Sequence, residues 1–354
     1  MQIDYHHAVT YVVARDAGFD HDEAQIIAYA SQYVDDATSS GTIHFDNQAV
    51  YDRISSAHKM FDTRNTCELA NHQVWMTFHF LPGNNGCSWD QDPAGGFINK
   101  IVCRPNSQVA QDMVRTTILQ KDCLYGLHRL GVAMHVYADT WAHQGFAGVL
   151  HSINEVEDAV ETGDSHVFSG RIGDWLRDRL DDAVPPLGHG RANVFPDMPF
   201  LKWKYKNGEG ETIPRDNPTD FLTAADNMCM AMRRYIRGDP DADVAGLSGD
   251  TKAKLKELFR CINKENGDER HAEWLKAIRD GSFTQIGQGE IADYYPRGNR
   301  SWKAAALGTG YDLPVHRYNP DFLKCDWKLF HDAILAHRFH VIHDILPRYG
   351  ICAA

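Results

Sequence analysis

The stretch Gly131-Val-Ala-Met-His135-Val-Tyr-Ala-Asp139-Thr-Trp-Ala-His143-Gln-Gly-Phe-Ala-Gly148 decides how the chain reads. His135, Asp139 and His143 recur every fourth residue, so on an α-helix they follow one face with ~40° of drift per step. His128, seven residues earlier, lies near the same stripe. An imidazole and a carboxylate four residues apart can reach one ion, and both are ordinary zinc ligands. His135 and His143 lie ~12 Å apart along the helix axis, too far to share an ion easily. The spacing therefore predicts two or more metals in a row, with Asp139 bridging near the middle. His151 and Glu155 repeat the His/carboxylate spacing further on. A purely structural reading competes: stripe histidines can pack in a core, and Asp139 can accept from His135. Four or more polar groups on one stripe are costly to bury without partners, which favours metal.

Outward from this segment the pattern is mostly helical. A helix over about 6–17 stops at Gly18. The next begins at Asp20 with Glu23 three residues on, a capping-box pattern, and ends at Asp35 and Asp36. Two carboxylates at a helix carboxyl terminus oppose the dipole, so they are either solvated or beside a cation. Val74–Leu81 reads as extended, and 84–107 as a long loop rich in Gly, Asn and Pro. Ser107 reads as the N-cap of one long helix reaching Ala138, and another helix follows Gly148 to about Val160. Short helical pieces and turns fill 161–220, including Pro185-Pro-Leu-Gly-His189-Gly190. Further helices are expected at about 219–236, 250–263, 269–279 and 320–346, with a polar acidic linker over 238–250. There is no internal repeat. The class is mainly α, a helical bundle with long loops. Residues 1–240 read as a metal-binding catalytic domain and 241–354 as a helical region packed on it, or the whole as one domain.

Composition narrows the function. Thirty-six Lys and Arg against 48 Asp and Glu give a net charge of -12, without a basic face. That disfavours a long nucleic acid as partner. Nineteen histidines are an unusual supply of metal ligands and proton carriers. The eight cysteines form no CxxC pair, so neither a zinc ribbon nor a redox motif is suggested. No apolar run is long enough for a transmembrane segment. The first 15 residues lack a secretory signal, which predicts a cytoplasmic protein or export by a specialised secretion system.

H-x3-D-x3-H followed by H-x3-E resembles the ligand helices of the zinc-dependent phospholipase C and single-strand nuclease superfamily. There the pattern is H-x3-D-x5-H, then H-x3-E or H-x3-D. Asp4-Tyr-His6-His7, Gln32-Tyr-Val-Asp35-Asp36 and Phe78-His79-Phe-Leu-Pro-Gly83 are similar to a bacterial group of phosphatidylcholine-hydrolysing phospholipases C. That likeness spans the first half to two-thirds of the chain. The resemblance implies an almost all-helical phospholipase C/zinc nuclease-like fold, two or three zinc ions and cleavage of phosphodiesters. It implies a phospholipid substrate, phosphatidylcholine foremost, with peripheral membrane contact. Residue by residue, His135 would bind the first zinc, Asp139 would bridge two, and His143 would start the site of another. Asp35 or Asp36 would be the catalytic aspartate that binds metal and orients or deprotonates water. His79 would complete that zinc's ligands, with His72 or His44 as substitutes.

His151 and Glu155 would match the family's H-x3-E pair, but the spacings around His143 are compressed, so His189 and Asp197 are alternatives. The family's mature amino-terminal tryptophan, whose amine binds zinc, has no counterpart in Met1-Gln2. Asp4 with His6, or His7, would take its place. Two other readings remain open: a nuclease or 3′-nucleotidase of the same superfamily, and a non-catalytic helical protein with structural zinc. The doublets His331-Asp332 and His343-Asp344 match the hallmark of a different metal-dependent phosphohydrolase fold, but such doublets arise readily by chance. His337 reads as a packed core histidine.

Overall fold

The computed structural model describes residues 1–58, 69, 72–163, 187–192, 194–287 and 290–353. A π-helical turn, Asp4–Val9, runs directly into helix α1, Thr10–Ala17. Gly18 ends α1 at φ 114°, a conformation that favours glycine. The Asp20 carboxylate then caps α2, His21–Asp36, by accepting from the Glu23 amide, and Glu23 returns the bond. Strands β1, Gly41–His44, and β2, Val50–Arg53, pair antiparallel.

The stretch expected to be extended is helical instead. A π-helical turn, His72–Met76, leads into Phe80, whose amide bonds the Trp75 carbonyl at 2.7 Å. A short aromatic run fits either conformation, and burial against the core decides. The long loop carries a short helix α3, Phe97–Ile101. Ser107 caps α4, Gln108–Leu119, as expected, but the helix stops there. A separate helix α5, Gly126–Ala142, follows the turn. Gly126 allows that turn, since a Cβ there would stand 2.1 Å from the Lys121 carbonyl oxygen.

The helix expected after Gly148 is also replaced. A 3-10 turn, Ser152–Asn154, leads into β3, Glu157–Glu161. The buried Asn154 amide bonds the Ala147 amide, the Ala147 carbonyl and the Val149 carbonyl, which satisfies this loop without helix. Strand β3 joins β4, Lys202–Lys206, and β5, Thr212–Asp216, in an antiparallel sheet. Trp203 and Tyr205 point inward between outward lysines, a period of two. Pro185 and Pro186 and most of the short helical pieces expected near them lie outside the described residues.

Four helices complete the wall: α6, Asn217–Arg237; α7, Gly249–Cys261; α8, Gly267–Arg279; and α9, Trp302–Leu307. The last expected helix is segmented into a 3-10 turn, Phe322–Lys324, helix α10, Asp326–Phe339, and a π-helical turn, His340–Ile345. The architecture is mainly α. One apolar core includes residues from Met1 to Ala353, with Trp274, Phe330 and Ile334 from the second half packed among residues of the first. A smaller core of Phe146, Phe195, Trp203 and Tyr205 lies under the sheet. No helix among the described residues is long and apolar enough to cross a membrane. His337 is indeed buried in the core, stacked on Phe78, and burial pushes its pKa down to about 3.

Helix α5 is the axle of this arrangement. It packs on α2, α4, α6 and α10, and apart from Leu127 every residue of it is buried. Gly131 makes the α2 crossing: a Cβ there would stand 2.4 Å from the Ile27 carbonyl oxygen and 2.8 Å from the Ala30 methyl. Gly131→Ala gains ~1 kcal/mol of helix propensity and meets an overpacking cost of ~1–3 kcal/mol. Because the clash is with backbone, the cost wins and the urea midpoint falls. A midpoint that rises instead would show that α2 yields easily.

Candidate metal centre

Because α5 is packed against four other helices, its polar stripe is almost fully buried. His135 is 0% exposed and Asp139 1%. His143 is the helix's C-cap, and Arg215 bonds the Trp141 and Ala142 carbonyls beside it. That guanidinium satisfies orphan carbonyls and fixes where α5 ends. Around the stripe gather His6 from the first π-helical turn, Asp35 from the end of α2, His79 after the second π-helical turn, and His189 and Asp197 from the chain before β4.

Three groups among the described residues could each hold a metal ion: His6, Asp35 and His135; His79, His135 and Asp139; and His143, His189 and Asp197. In the second, His135 Nε2 lies 3.3 Å from His79 Nδ1 and 3.3 Å from Asp139 Oδ2, while His79 Nδ1 and Asp139 Oδ2 are 3.6 Å apart. A point equidistant from the three atoms is ~2.0 Å from each, the length of a zinc–imidazole bond. Asp35 Oδ1 lies 3.7 Å from both imidazole nitrogens, within reach of the same ion.

The amino group of Met1 completes the third group. Its nitrogen is 3.1 Å from Asp197 Oδ1 and 3.4 Å from His143 Nε2, and those two atoms are 3.3 Å apart. The equidistant point is here ~1.9 Å from each corner. The same nitrogen is 2.6 Å from Asp139 Oδ1, so Asp139 faces one group with each oxygen. His189 Nε2 stands 3.5 Å from the other Asp197 oxygen.

Outer partners aim the ligands. His79 Nε2 donates to the Ser56 carbonyl at 2.9 Å, which leaves Nδ1 bare toward the cluster. His143 Nδ1 donates to the His79 carbonyl at 2.6 Å, which leaves Nε2 bare. Such bonds fix tautomer and ring orientation in metal-ligating histidines. Both His6 nitrogens, His135 Nδ1 and Asp139 Oδ2 are buried without a hydrogen bond. Each orphan costs ~1–3 kcal/mol unless something else satisfies it, and native cores keep few. Four in one cluster fit residues arranged for cations.

Charge tells the same story. Burial works against the Asp139 charge, yet His143, the Met1 amine and His135 hold its carboxyl well below the usual range. Burial likewise opposes the Met1 ammonium, but Asp139, Asp197 and Asp35 raise its pKa to about 11. Burial lowers His143 to about 4 and drives His6 well below its usual value. Burial also works against His135⁺, but Asp139 and Asp35 raise its pKa. Without metal, the amine and His135 are the groups whose cationic forms the surrounding carboxylates favour.

Of the expected ligands, His6, His79, His135, Asp139, His143 and His189 come together, with Asp35 at the mouth. Asp36 accepts from Tyr294 at 2.8 Å and from Gln32, beside the cluster. His7 does not reach it and pairs with His271 at 2.9 Å. Asp4 is held by Arg270 at 2.7 Å. His151 accepts from the Ile153 amide, and Glu155 stands 3.6 Å from Arg191, because no helix carries them onto one face. His44 ends the exposed face of β1, and His72 starts the second π-helical turn, neither in a ligand group. The expectation that Met1-Gln2 offers no counterpart to the family's amino-terminal amine is corrected: the Met1 amine lies among Asp139, His143 and Asp197, because the π-helical turn that follows it is packed under the cluster. Its delivery depends on Arg270, fully buried, which binds Gln2 and Asp4 on one side and the Lys264 and Glu265 carbonyls on the other. The cluster floors a cleft of about 1270 Å³ whose walls include Trp75, Phe80, Val194, Asp268 and Glu269.

Asp139→Asn removes a carboxylate oxygen from the cluster without altering the shape of the side chain. Elemental analysis should find at least one fewer metal equivalent per chain, with an unchanged far-UV circular dichroism spectrum. A full metal complement in that variant would take Asp139 out of the centre. Loading the metal-free protein at pH 7 should also release protons, because the amine with its pKa near 11 must give up its own to coordinate. A pH indicator in weak buffer reads this directly, and uptake without proton release would leave the amine outside the ligand set.

A family model described as a family of unknown function (DUF6765) matches residues 1–345, which includes every residue of the cluster. No curated protein and no solved structure matches the chain. With nearly its whole length covered, the chain belongs to the DUF6765 family.

Proposed function

We propose that this protein is a zinc-dependent phosphodiesterase, and within that class a phospholipase C that cleaves phosphatidylcholine to diacylglycerol and phosphocholine. The observation that carries this is Asp139, a carboxylate with one oxygen toward each of two ligand groups on the floor of a large cleft. The donors are imidazole, carboxylate and amine without thiolate, a set that suits zinc. The likeness of the His135–His143 helix to the phospholipase C and zinc nuclease superfamily points the same way.

Bound zinc would supply Lewis acidity toward the phosphate oxygens and bring the pKa of water towards 7. The chain's own part is to hold and to move protons. Asp35 is one-third exposed at the cleft and faces His79 and His135, a suitable place to orient attacking water and take its proton. Burial raises its pKa, which makes it a stronger base. Gln32 donates to Asp35 and Asp36 at 3.3 Å each and so sets the Asp35 carboxylate in position. Trp75, Phe80 and Val194 offer an apolar wall for the glycerol end of the substrate. Asp268 and Glu269 give the cleft a negative wall that suits a quaternary ammonium and repels a long polyanion.

The zinc-loaded protein should release phosphocholine from phosphatidylcholine in mixed micelles, and chelation should abolish this. Asp35→Asn should lower kcat ~10²–10⁴-fold, the range for loss of a general base. Cleavage of single-stranded DNA without lipid turnover would make the protein a nuclease of the same superfamily. Fully loaded protein that cleaves neither would make the zinc structural.

A further inference from the structure

We propose that a basic pocket beside the metal cleft is a subsite for a phosphomonoester group, the chemistry that hydrolysis of a diester creates. It has a volume of about 240 Å³ and lies where the carboxyl end of α2 meets β2, α9 and α10. Asp36 and Pro296 line both this pocket and the cleft, so the two adjoin. Arg53, Arg297 and Lys303 bring three cations to it, and His331 lines it too.

These cations exceed what the fold needs to balance. Both outer nitrogens of Arg53 donate to Asp312 at 2.9 Å, and Lys303 donates to the same carboxylate at 2.7 Å. One half-exposed carboxylate thus serves two cations. Arg297 makes no close hydrogen bond or salt bridge among the described residues, and its charge acts on Asp36 only from a distance. Asp36, the other acid on the wall, is occupied by Tyr294 and Gln32. Arg53 is 8% exposed, and its Nε is buried without a partner. A net positive pocket with an orphaned guanidinium nitrogen, in a chain of net charge -12, is a place for an anion.

The kind of anion follows from the reaction, and in this the inference rests on the phosphodiesterase reading. Water adds to a diester of charge -1, the P–O bond to the alcohol breaks, and the alkoxide takes a proton. The monoester that remains carries ~-1.5 to -2 at neutral pH, given a second pKa near 6. Arginine and lysine together favour the dianion over the monoanion. The pocket therefore draws product rather than substrate off the cluster.

The test is titration calorimetry on the zinc-loaded full chain with phosphocholine and, separately, with inorganic phosphate. Wild type should bind phosphocholine at the cluster and at one further site. Arg297→Gln with Lys303→Gln should lose that further site or weaken it about tenfold or more, and should weaken product inhibition of turnover by a like factor. Arg297→Gln alone, which removes no hydrogen bond or salt bridge seen among the described residues, should show part of the loss. Equal stoichiometry and affinity in wild type and both variants would overturn the subsite, as would a single class of sites in wild type. Phosphocholine bound tenfold more tightly than inorganic phosphate at this site identifies product as its ligand. Equal affinities identify free phosphate. Should the protein cleave no diester, yet lose the second phosphate site in the variants, the subsite stands and the hydrolase reading falls.

Discussion

The arrangement turns on one buried charge. Asp139 sits in the last turn of a helix packed against four others, and an uncompensated carboxylate there would cost several kcal/mol. Four imidazoles and one amine surround it, from parts of the chain as distant as Met1 and His143. The imidazoles alone do not settle the charge, because burial keeps His6 and His143 neutral. The amine supplies one cation, and metal would supply more. The amino terminus must therefore lie under the cleft, and Arg270 holds it there through Gln2 and Asp4. Since Arg270 belongs to α8, the last hundred residues are part of what builds the cluster.

What the sequence made legible is what local periodicity governs. The i, i+4 spacing placed His135 and Asp139 on one face, and the capping box placed α2, hence Asp35. His143 was legible as a neighbour although it is the C-cap, because the cap still lies one turn from Asp139. The same spacing misled at His151 and Glu155. There the Asn154 side chain supplies the bonds a helix would have supplied, and a strand follows. Lys202–Lys206 alternates lysine with aromatic residues, a strand signal that the helical trend of the chain concealed. His189 and Asp197 reach the site only by tertiary folding. The Met1 amine was dismissed because residue 1 is not the tryptophan of the family pattern, although an amine needs no particular side chain, and the Arg270 clamp leaves no local pattern, since it acts across more than two hundred residues.

An acidic chain can handle phosphate if its positive charge is placed rather than spread. The buried cluster concentrates it where the bond would break. Arg53, Arg297 and Lys303 concentrate it again next door. Asp36 stands on the boundary of the two spaces, its carboxylate engaged by Tyr294 and Gln32. A choline diester approaching the cleft would meet Asp268 and Glu269 with its quaternary ammonium and the cluster with its singly charged phosphate. A dianion leaving it passes Asp36 toward a cationic wall. The repulsion from one carboxylate scales with ligand charge, and so does the attraction from three cations, so doubling the charge favours the pocket. The sign pattern of the walls thus gives the two spaces opposite preferences, and in the proposed reaction hydrolysis would be the step that carries a ligand from one preference to the other.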